Sequence, residues 1–171
     1  MDGLLFDSER IVQRSWEIAG DELGIPHMGD VIYHTLGMNR AGRNEYFRKY
    51  IREDFPFEEF GKLTRDNFWK IVDKEGLPLK KGVKELLAYG KAQGYKMAVA
   101  TSSSREYAMG NLIRAGIDSY FDSVVCGDMV KKAKPDPEIY QKACESLGIQ
   151  PEYCMAFEDA PGGILSAHQA G

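Results

Sequence analysis

The stretch Met97-Ala98-Val99-Ala100-Thr101-Ser102-Ser103-Ser104 joins a short apolar run to a run of hydroxyl side chains. The apolar run is typical of a strand buried on both faces, as in parallel sheets. The hydroxyls and the backbone N–H groups that follow would lie at the N-terminus of the next helix, where anions bind well. The stretch therefore predicts a strand that ends in a phosphate-binding turn, although Ser103 or Ser104 could instead merely cap the helix.

The same alternation of strand-like and helix-like segments continues along the second half of the chain. Apolar runs at 123–126 and 154–157 are predicted to be buried strands. Helices are predicted over 105–115 and 137–147, and a glycine follows each of them. Because strands that alternate with helices form parallel sheets with right-handed crossovers, we predict an α/β fold with a Rossmann-like parallel sheet core.

The first part of the chain, from Arg10 to Gly76, has the periodicity of helices throughout. The first helix is predicted to stop at Gly24, and aromatic-rich helical patterns follow it. We therefore predict two domains. The α/β core is formed by 1–9 and 77–171, and an all-helical domain over 10–76 is inserted into it.

Composition narrows the classes of function. Of the 171 residues, 43% are hydrophobic and 28% are charged, and this composition is typical of a globular protein. The net charge of −4 disfavours nucleic-acid binding. No apolar run is long enough to span a bilayer, and the N-terminus lacks the pattern of a signal peptide. We expect a cytoplasmic monomer that binds no nucleic acid and no membrane. Cys126, Cys144 and Cys154 are interpreted as buried free thiols.

Candidate catalytic or ligand-binding residues follow the apolar runs at 123–126 and 154–157. Lys134 precedes Pro135, which favours an extended backbone and could aim the ammonium group, although a surface lysine is the simpler reading. Glu158 and Asp159 follow the run at 154–157. Adjacent carboxylates repel unless a positive charge lies between them, and hard oxygen ligands suit Mg²⁺. A solvated loop, or Asp159 as a helix cap, is the alternative.

Asp2 and Gly3 form a further turn signal close to the first residue of the sequence. Glycine adopts positive φ at no steric cost, so an Asp-Gly pair favours a tight turn. In open α/β sheets, ligands bind beyond the carboxyl ends of the strands, which is where a carboxylate in such a turn would project. Asp2 is therefore a candidate for the same site.

Taken in order, these segments resemble the four motifs of the haloacid dehalogenase (HAD) superfamily. The segment Met1–Glu9 resembles the first motif, Asp-x-Asp-Gly-x-Leu-x-Asp-Ser-Glu, from its second residue onward. Thr101 after a strand, Lys134 before proline, and the pair Glu158-Asp159 resemble motifs two to four. Within the superfamily the pattern is similar to the β-phosphoglucomutase/phosphatase branch, whose helical cap domain corresponds to residues 10–76.

The resemblance assigns catalytic and phosphate-binding roles. It implies that Asp2 is the general acid and base, which protonates the leaving oxygen and then activates water. Thr101 and the Ser102 amide would bind the phosphoryl group, and Lys134 would neutralise charge between that group and the nucleophile. These roles agree with what phosphoryl transfer requires, namely positioning and charge neutralisation.

The resemblance also implies a Mg²⁺ cofactor and a substrate loop. Asp2, through its backbone carbonyl, Glu158 and Asp159 would form the metal site. In the cap, Asn39 and Arg40 lie in a segment similar to the substrate-specificity loop, where Arg40 could contact a second phosphate or sugar hydroxyls.

The nucleophile of the first motif would stand one position before Met1. In this fold, the strand that leads to the nucleophile lies between the strands at 97–100 and 154–157, and its loss would leave their backbone groups unpaired. The helix that follows motif four would also be the last element of the fold, and it would end at Gly171. We therefore expect the sequence to be a fragment of a longer enzyme that is inactive as it stands.

Three functions remain open at this point. We favour a phosphatase acting on a small phosphorylated metabolite such as a sugar phosphate. A β-phosphoglucomutase-type mutase is the alternative, but Val12 and Leu36 stand where those mutases carry His and Lys. A non-catalytic HAD-like domain is the third possibility, because the nucleophile is missing from the sequence.

Overall fold

The computed structural model describes residues 1–35 and 40–171. It divides the chain into two compact units, which we call the α/β unit (Met1–Asp7 and Leu77–Gly171) and the helical unit (Ser8–Gly76). Within the described ranges, no helix is both long and apolar enough to cross a membrane.

The helical unit is built around a cluster of aromatic side chains. Its helices are α1 (Ser8–Glu22), α2 (Met28–Thr35), α3 (Arg40–Tyr50) and α4 (Phe57–Glu75). Trp16 meets Phe47 and Phe60 edge to face, with ring centroids 5.5 and 5.7 Å apart. Aromatic pairs of this geometry stabilise a core beyond the area that they bury. The helical periodicity over 10–76 therefore reflects apolar faces that meet inside this unit.

The α/β unit contains a parallel pair of strands flanked by helices. In chain order its elements are α5 (Val83–Ala92), β1 (Ala98–Ala100), α6 (Arg105–Arg114), β2 (Ser123–Val125), α7 (Glu138–Leu147) and α8 (Pro161–Gln169). Short 3₁₀ turns lie at Asp118–Tyr120, Gly127–Met129 and Pro151–Tyr153. The strands pair in parallel with Val99 opposite Val124, and α6 forms the crossover between them.

One cluster of buried side chains in this unit lies between the strand pair and α7. Val125, Ile139 and Ala143 are buried together, and side chains of both strands pack against them. The ladder continues past β1, because the Thr101 N–H donates to the Val125 carbonyl at 3.0 Å. This bond holds the hydroxyl-rich turn in line with the sheet, as the sequence predicts.

The prediction of a buried strand at 154–157 is wrong. The segment forms no strand, and among the described residues no strand pairs with it. Met155 is 81% exposed and Phe157 is 56% exposed. An apolar run is buried as a strand only where a neighbouring strand satisfies its N–H and C=O groups, and without that neighbour these groups remain in water. The prediction that all three cysteines are buried is wrong for Cys154, which is exposed.

Backbone hydrogen bonds hold the Asp2-Gly3 turn and the residues after it against residues 78–80 of the α/β unit. Gly3 has φ of 74°, in the left-handed region that favours glycine. The Gly3 N–H donates to the Phe6 carbonyl at 3.0 Å, and Phe6 is fully buried. Beyond the turn, the Asp7 N–H donates to Pro78 at 2.8 Å and the Lys80 N–H donates to Leu5 at 2.9 Å. The turn is therefore fixed by backbone hydrogen bonds rather than by Asp2.

Candidate active site

The predicted site residues of the α/β unit gather around the carboxyl end of β1. Ser103, three residues beyond this strand, donates to an oxygen of Asp2 at 3.0 Å. The Lys134 ammonium donates to the carbonyl of Ala100, the last residue of β1, at 3.3 Å. The same ammonium contacts Glu158. Segments that are far apart in the sequence therefore meet at the edge of the sheet where α/β proteins bind their ligands.

Asp2 is held by two hydroxyl groups on one side of α6. Ser103 Oγ donates to Oδ2 at 3.0 Å and Tyr107 Oη donates to Oδ1 at 2.9 Å. Burial raises the pKa of Tyr107 above its ordinary value, and the charge of Asp2 and the hydrogen bond to it raise it further. The phenol therefore stays protonated and remains a donor to the carboxylate.

Sequence reasoning missed the role of Tyr107, and it treated Ser103 only as part of a phosphate-binding turn or as a cap. The residue that caps α6 is Ser104, whose side chain accepts from the Tyr107 N–H at 3.4 Å. The contact of Tyr107 with Asp2 joins residues 105 positions apart, so no local sequence pattern indicates it.

The turn after β1 is rigidly braced. Thr101 is 3% exposed, and its Oγ1 accepts from the Ser103 N–H at 3.2 Å. Ser102 is exposed, and its carbonyl lies where a Cβ of Gly127 would stand, so only glycine fits there. The Gly127 N–H also donates to the Ser103 carbonyl at 2.9 Å. The exposed Ser102 amide and hydroxyl are the groups that such a turn offers to an anion.

Lys134, Glu158 and Tyr140 form a compact polar cluster on the other side of the β1 end. The Lys134 ammonium lies 2.7 Å from Glu158 Oε2, and the two side chains are only 13% and 12% exposed. Tyr140 Oη donates to the same carboxylate oxygen at 2.6 Å. The ammonium also lies 4.8 Å from the centre of the Tyr140 ring, which is favourable cation–π geometry. The peptide bond between Lys134 and Pro135 is cis.

The protonation states in this cluster follow from its contacts. Burial alone would raise the pKa of Glu158, but the hydrogen bonds from Lys134 and Tyr140 outweigh burial and lower the pKa to about 2. Burial, followed by the hydrogen bond to Glu158, raises the pKa of Tyr140. Glu158 is therefore an anion and Tyr140 a neutral donor at any physiological pH. Tyr140 was also missed from the sequence, because its role depends on tertiary contacts alone.

Asp159 faces the Asp2-Gly3 turn and is exposed. A Cβ at Gly3 would collide with the Asp159 carboxylate, so the two segments approach as closely as glycine permits. Glu158 Oε1 accepts from the N–H groups of Asp159 and Ala160, both at 3.3 Å. Carboxylate oxygens of this kind suit Mg²⁺. Within 1–35 and 40–171, however, the structure holds no compact group of three or more His, Cys, Asp or Glu residues that could bind a metal by themselves.

The structure does not describe the side chains of the two predicted cap residues. Asn39 lies outside the described residues, as does Leu36. Arg40 is the first residue of α3, and its side chain is outside the described part.

Comparison with known proteins gives the class of this protein. The family model of the haloacid dehalogenase-like hydrolases matches residues 1–171. The chain therefore belongs to the haloacid dehalogenase-like hydrolases, and the predicted family and enzyme class are confirmed.

Individual relatives extend the comparison. The chain is 33% identical over 171 residues to the phosphorylated carbohydrates phosphatase of Thermotoga maritima, covering 100% of this chain and 79% of the relative. A proposed β-phosphoglucomutase of Thermotoga maritima is 30% identical, with a TM-score of 0.83, and the match covers 99% of this chain and 78% of that one. A HAD family hydrolase of Deinococcus radiodurans, solved with phosphate and sodium, is 25% identical, with a TM-score of 0.84, and the match covers 100% of this chain and 75% of that one. These likenesses confirm the predicted fold class.

Proposed function

We propose that the protein is a Mg²⁺-dependent phosphatase that acts on a small phosphorylated metabolite such as a sugar phosphate. The observation that carries the proposal is the meeting of Asp2, the Thr101–Ser104 turn and Lys134 at the carboxyl end of β1. Phosphoryl transfer needs an anion cradle, a positive charge and a proton donor, and these three features supply them. The names of the Thermotoga maritima phosphatase and of the phosphate-bound Deinococcus radiodurans hydrolase support this reading.

Phosphate binding is assigned to the turn and to Lys134. The exposed Ser102 can offer its amide and hydroxyl to phosphoryl oxygens, while the buried Thr101 hydroxyl braces the turn from inside. The Lys134 ammonium lies beside the Ala100 carbonyl, directly before this turn. An ammonium fixed there by Glu158 and Tyr140 is pre-organised to neutralise developing charge.

Proton transfer is assigned to Asp2. In the first step the carboxylate of the nucleophile attacks phosphorus, the phosphorus–oxygen bond to the metabolite breaks, and the Asp2 carboxylic acid gives its proton to the leaving oxygen. In the second step the Asp2 carboxylate takes a proton from water as the water attacks phosphorus, the bond from phosphorus to the nucleophile breaks, and inorganic phosphate is released. Ser103 and Tyr107 hold one oxygen each, so they fix the plane of the carboxylate throughout.

The metal site is assigned to Asp2, Glu158 and Asp159, and all three are oxygen donors. Bound there, Mg²⁺ would neutralise phosphoryl charge. Asp159 is exposed and close to the Asp2-Gly3 turn, whereas the Glu158 carboxylate already forms an ion pair with Lys134. We therefore assign direct ligation to Asp159 and the backbone carbonyl of Asp2, with Glu158 supporting Asp159 through its backbone contact.

The nucleophile of the HAD motif corresponds to the position immediately before Met1. Asp7 is a poor substitute, because it lies beyond the turn, where its N–H is tied to Pro78. The enzyme to assay is therefore a chain in which an apolar strand that ends in aspartate precedes Met1 and further elements of the α/β core follow Gly171. A carboxylate nucleophile must stand in line with phosphorus for covalent catalysis to occur.

The experiment measures inorganic phosphate released by this extended chain from a panel of sugar phosphates, with Mg²⁺ and with EDTA. We expect phosphate release with Mg²⁺ and loss of that release with EDTA. Replacement of the added aspartate by asparagine is the matched control and should abolish turnover. Phosphate release that survives both EDTA and the control substitution would contradict the proposal, as would the absence of release from every substrate.

A mutase is the second candidate, favoured by the likeness to the proposed β-phosphoglucomutase of Thermotoga maritima. The same reaction mixtures distinguish the two functions. A mutase converts one sugar phosphate isomer into another, whereas a phosphatase releases phosphate and free sugar. Isomer formation that is faster than phosphate release would favour the mutase.

A further inference from the structure

The hydroxyl group of Tyr140 lies between the charged groups of Lys134 and Glu158. Tyr140 is in the first turn of α7, and its ring packs against the buried cluster between α7 and the strand pair. The hydroxyl donates to Glu158 Oε2 at 2.6 Å and accepts from the Lys134 ammonium at 3.3 Å. A phenylalanine would pack in the same way but could neither donate nor accept. Packing therefore accounts for the ring and leaves the hydroxyl to be explained.

All three N–H groups of the Lys134 ammonium have an acceptor. An ammonium group carries three N–H donors. Those of Lys134 donate to the Ala100 carbonyl at 3.3 Å, to the Tyr140 hydroxyl at 3.3 Å and to Glu158 Oε2 at 2.7 Å. The side chain of Lys134 is only 13% exposed, so water competes little for these donors. The position of the ammonium is therefore a balance between the Ala100 carbonyl on one side and the Glu158 carboxylate on the other.

The Glu158 carboxylate is fully occupied as well. A carboxylate offers about four lone-pair sites to donors. Lys134 and Tyr140 donate to Oε2, and the N–H groups of Asp159 and Ala160 donate to Oε1. The phenol thus fills one of the two sites on the oxygen that the ammonium contacts. Because hydrogen bonds to an ionised carboxylate are strong, a second N–H group of the ammonium would fill that site if the phenol were removed.

We propose that Tyr140 is a positioning residue for Lys134, whose hydroxyl prevents Glu158 from drawing the ammonium away from the Ala100 carbonyl. This role rests on the proposed phosphatase function, in which Lys134 neutralises charge on the phosphoryl group. The Ala100 carbonyl directly precedes the Thr101–Ser104 turn, so an ammonium held beside it lies next to the phosphate-binding groups. An ammonium that paired with Glu158 through two N–H groups would lie farther from the turn and would stabilise the phosphoryl group less.

Tyr140→Phe tests the hydroxyl alone, because it keeps the ring. In the extended chain we expect kcat for sugar phosphates to fall at least about ten-fold, because Lys134 stabilises charge that develops in the transition state. KM should change less than about three-fold, as for an interaction made mainly in the transition state. Tyr95→Phe, at an exposed tyrosine of the same unit, is the matched control and should leave both constants unchanged. An unchanged kcat in Tyr140→Phe would overturn the proposed role.

A double-mutant cycle shows whether Tyr140 acts through Glu158. Glu158→Gln removes the charge that would draw Lys134 away, so addition of Tyr140→Phe to this variant should lower kcat less than about two-fold. A tyrosine that only stabilises the fold would have the same effect in both backgrounds. Equal effects of Tyr140→Phe with and without Glu158→Gln would therefore overturn the proposed role.

The position of the ammonium can also be measured without turnover. Crystal structures of residues 1–171 and of the Tyr140→Phe variant compare the distance from Lys134 Nζ to the Ala100 carbonyl. In the variant we expect this distance to exceed about 3.5 Å, the limit of a hydrogen bond, while Lys134 donates twice to Glu158. An ammonium that keeps its contact with Ala100 in the variant would overturn the proposed role, whatever the activity. Absence of phosphate release from every substrate would instead contradict the phosphatase function, because the position of the ammonium is measured without substrate.

Discussion

At the scale of single residues, the candidate site contains two carboxylates that each accept hydrogen bonds from two side chains. Asp2 is shared by two hydroxyl donors, and Glu158 is shared by an ammonium and a phenol. Asp2, Lys134 and Glu158 could be predicted from their positions in motifs. Their partners Tyr107 and Tyr140 could not, since a tyrosine in a helix has no sequence feature that tells a buried donor from an ordinary core residue.

The role of Asp2 predicts a loss of rate that depends on the leaving group. Asp2→Asn keeps the shape of the side chain but removes the transferable proton. In the extended chain we expect kcat for sugar phosphates to fall about 10²–10⁴-fold. The loss should be smaller for p-nitrophenyl phosphate, whose leaving group needs little protonation. Equal losses for both substrates, measured by phosphate release, would exclude the general-acid role.

Tyr107 is expected to act as a positioning residue for Asp2. Tyr107→Phe removes the 2.9 Å hydrogen bond to Oδ1 and leaves the ring in place. Because a hydrogen bond to a charged group contributes about 1.5–3 kcal/mol, we expect kcat for sugar phosphates to fall at least ten-fold with little change in KM. Tyr89→Phe, on the exposed side of α5, is the control and should have no effect. A purely structural role would lower the melting temperature and leave kcat of the folded fraction unchanged.

Glu158 should make the stability of the fold sensitive to acid. Its pKa falls from 4.5 to about 2 on folding, so the folded state is favoured above pH 4.5 and loses this advantage as the pH falls towards 2. Between pH 7 and pH 3 we expect Glu158 to account for about 2 kcal/mol of lost unfolding free energy. Urea unfolding of Glu158→Gln should show a weaker pH dependence by that amount. Glu145→Gln, an exposed acid on α7, should retain the full dependence.

At the scale of helices and strands, the periodicity of the sequence predicted local structure well. The helices predicted over 105–115 and 137–147 are observed as α6 and α7 with ends one residue different. The segment 154–157 has the same apolar character as β2, yet it forms no strand. An apolar segment can be buried as a strand only if another strand pairs with it, and that partner lies elsewhere in the chain. The apolar composition of 154–157 therefore could not predict by itself whether it forms a strand.

The close approach of Gly163, in the first turn of α8, to Glu158 can be tested by substitution. A Cβ at Gly163 would collide with the Glu158 carboxyl group, whereas a Cβ at Gly162 would meet nothing. Gly163→Ala should therefore displace Glu158 from Lys134 and lower the unfolding free energy by about 1–3 kcal/mol. Gly162→Ala should be neutral or stabilise by up to about 1 kcal/mol through helix propensity. Urea unfolding of the two variants decides the point, and equal effects would show that Gly163 has no special contact.

At the scale of the whole molecule, the α/β unit assembles the proposed site from segments that are far apart in the sequence. Asp2 comes from the first turn, and Glu158 and Asp159 precede the last helix. Contacts of this kind join residues more than one hundred positions apart, so the order of the motifs could indicate that these segments meet, whereas local periodicity could not. The position of the substrate loop at Asn39 stays a prediction, because it lies outside the described residues.

The last prediction concerns turnover by residues 1–171 alone. Catalysis through an aspartyl-phosphate needs a carboxylate in line with phosphorus, and Asp2 is required as the acid. Purified protein of this sequence should therefore release no more phosphate from sugar or aryl phosphates than buffer does. A chain that is extended before Met1 by a strand ending in aspartate, and after Gly171 by further core elements, should turn over. Asp7→Ala is the discriminating variant. Turnover by residues 1–171 that Asp7→Ala abolishes would identify Asp7 as the nucleophile and show that the motif is displaced from the register proposed for it.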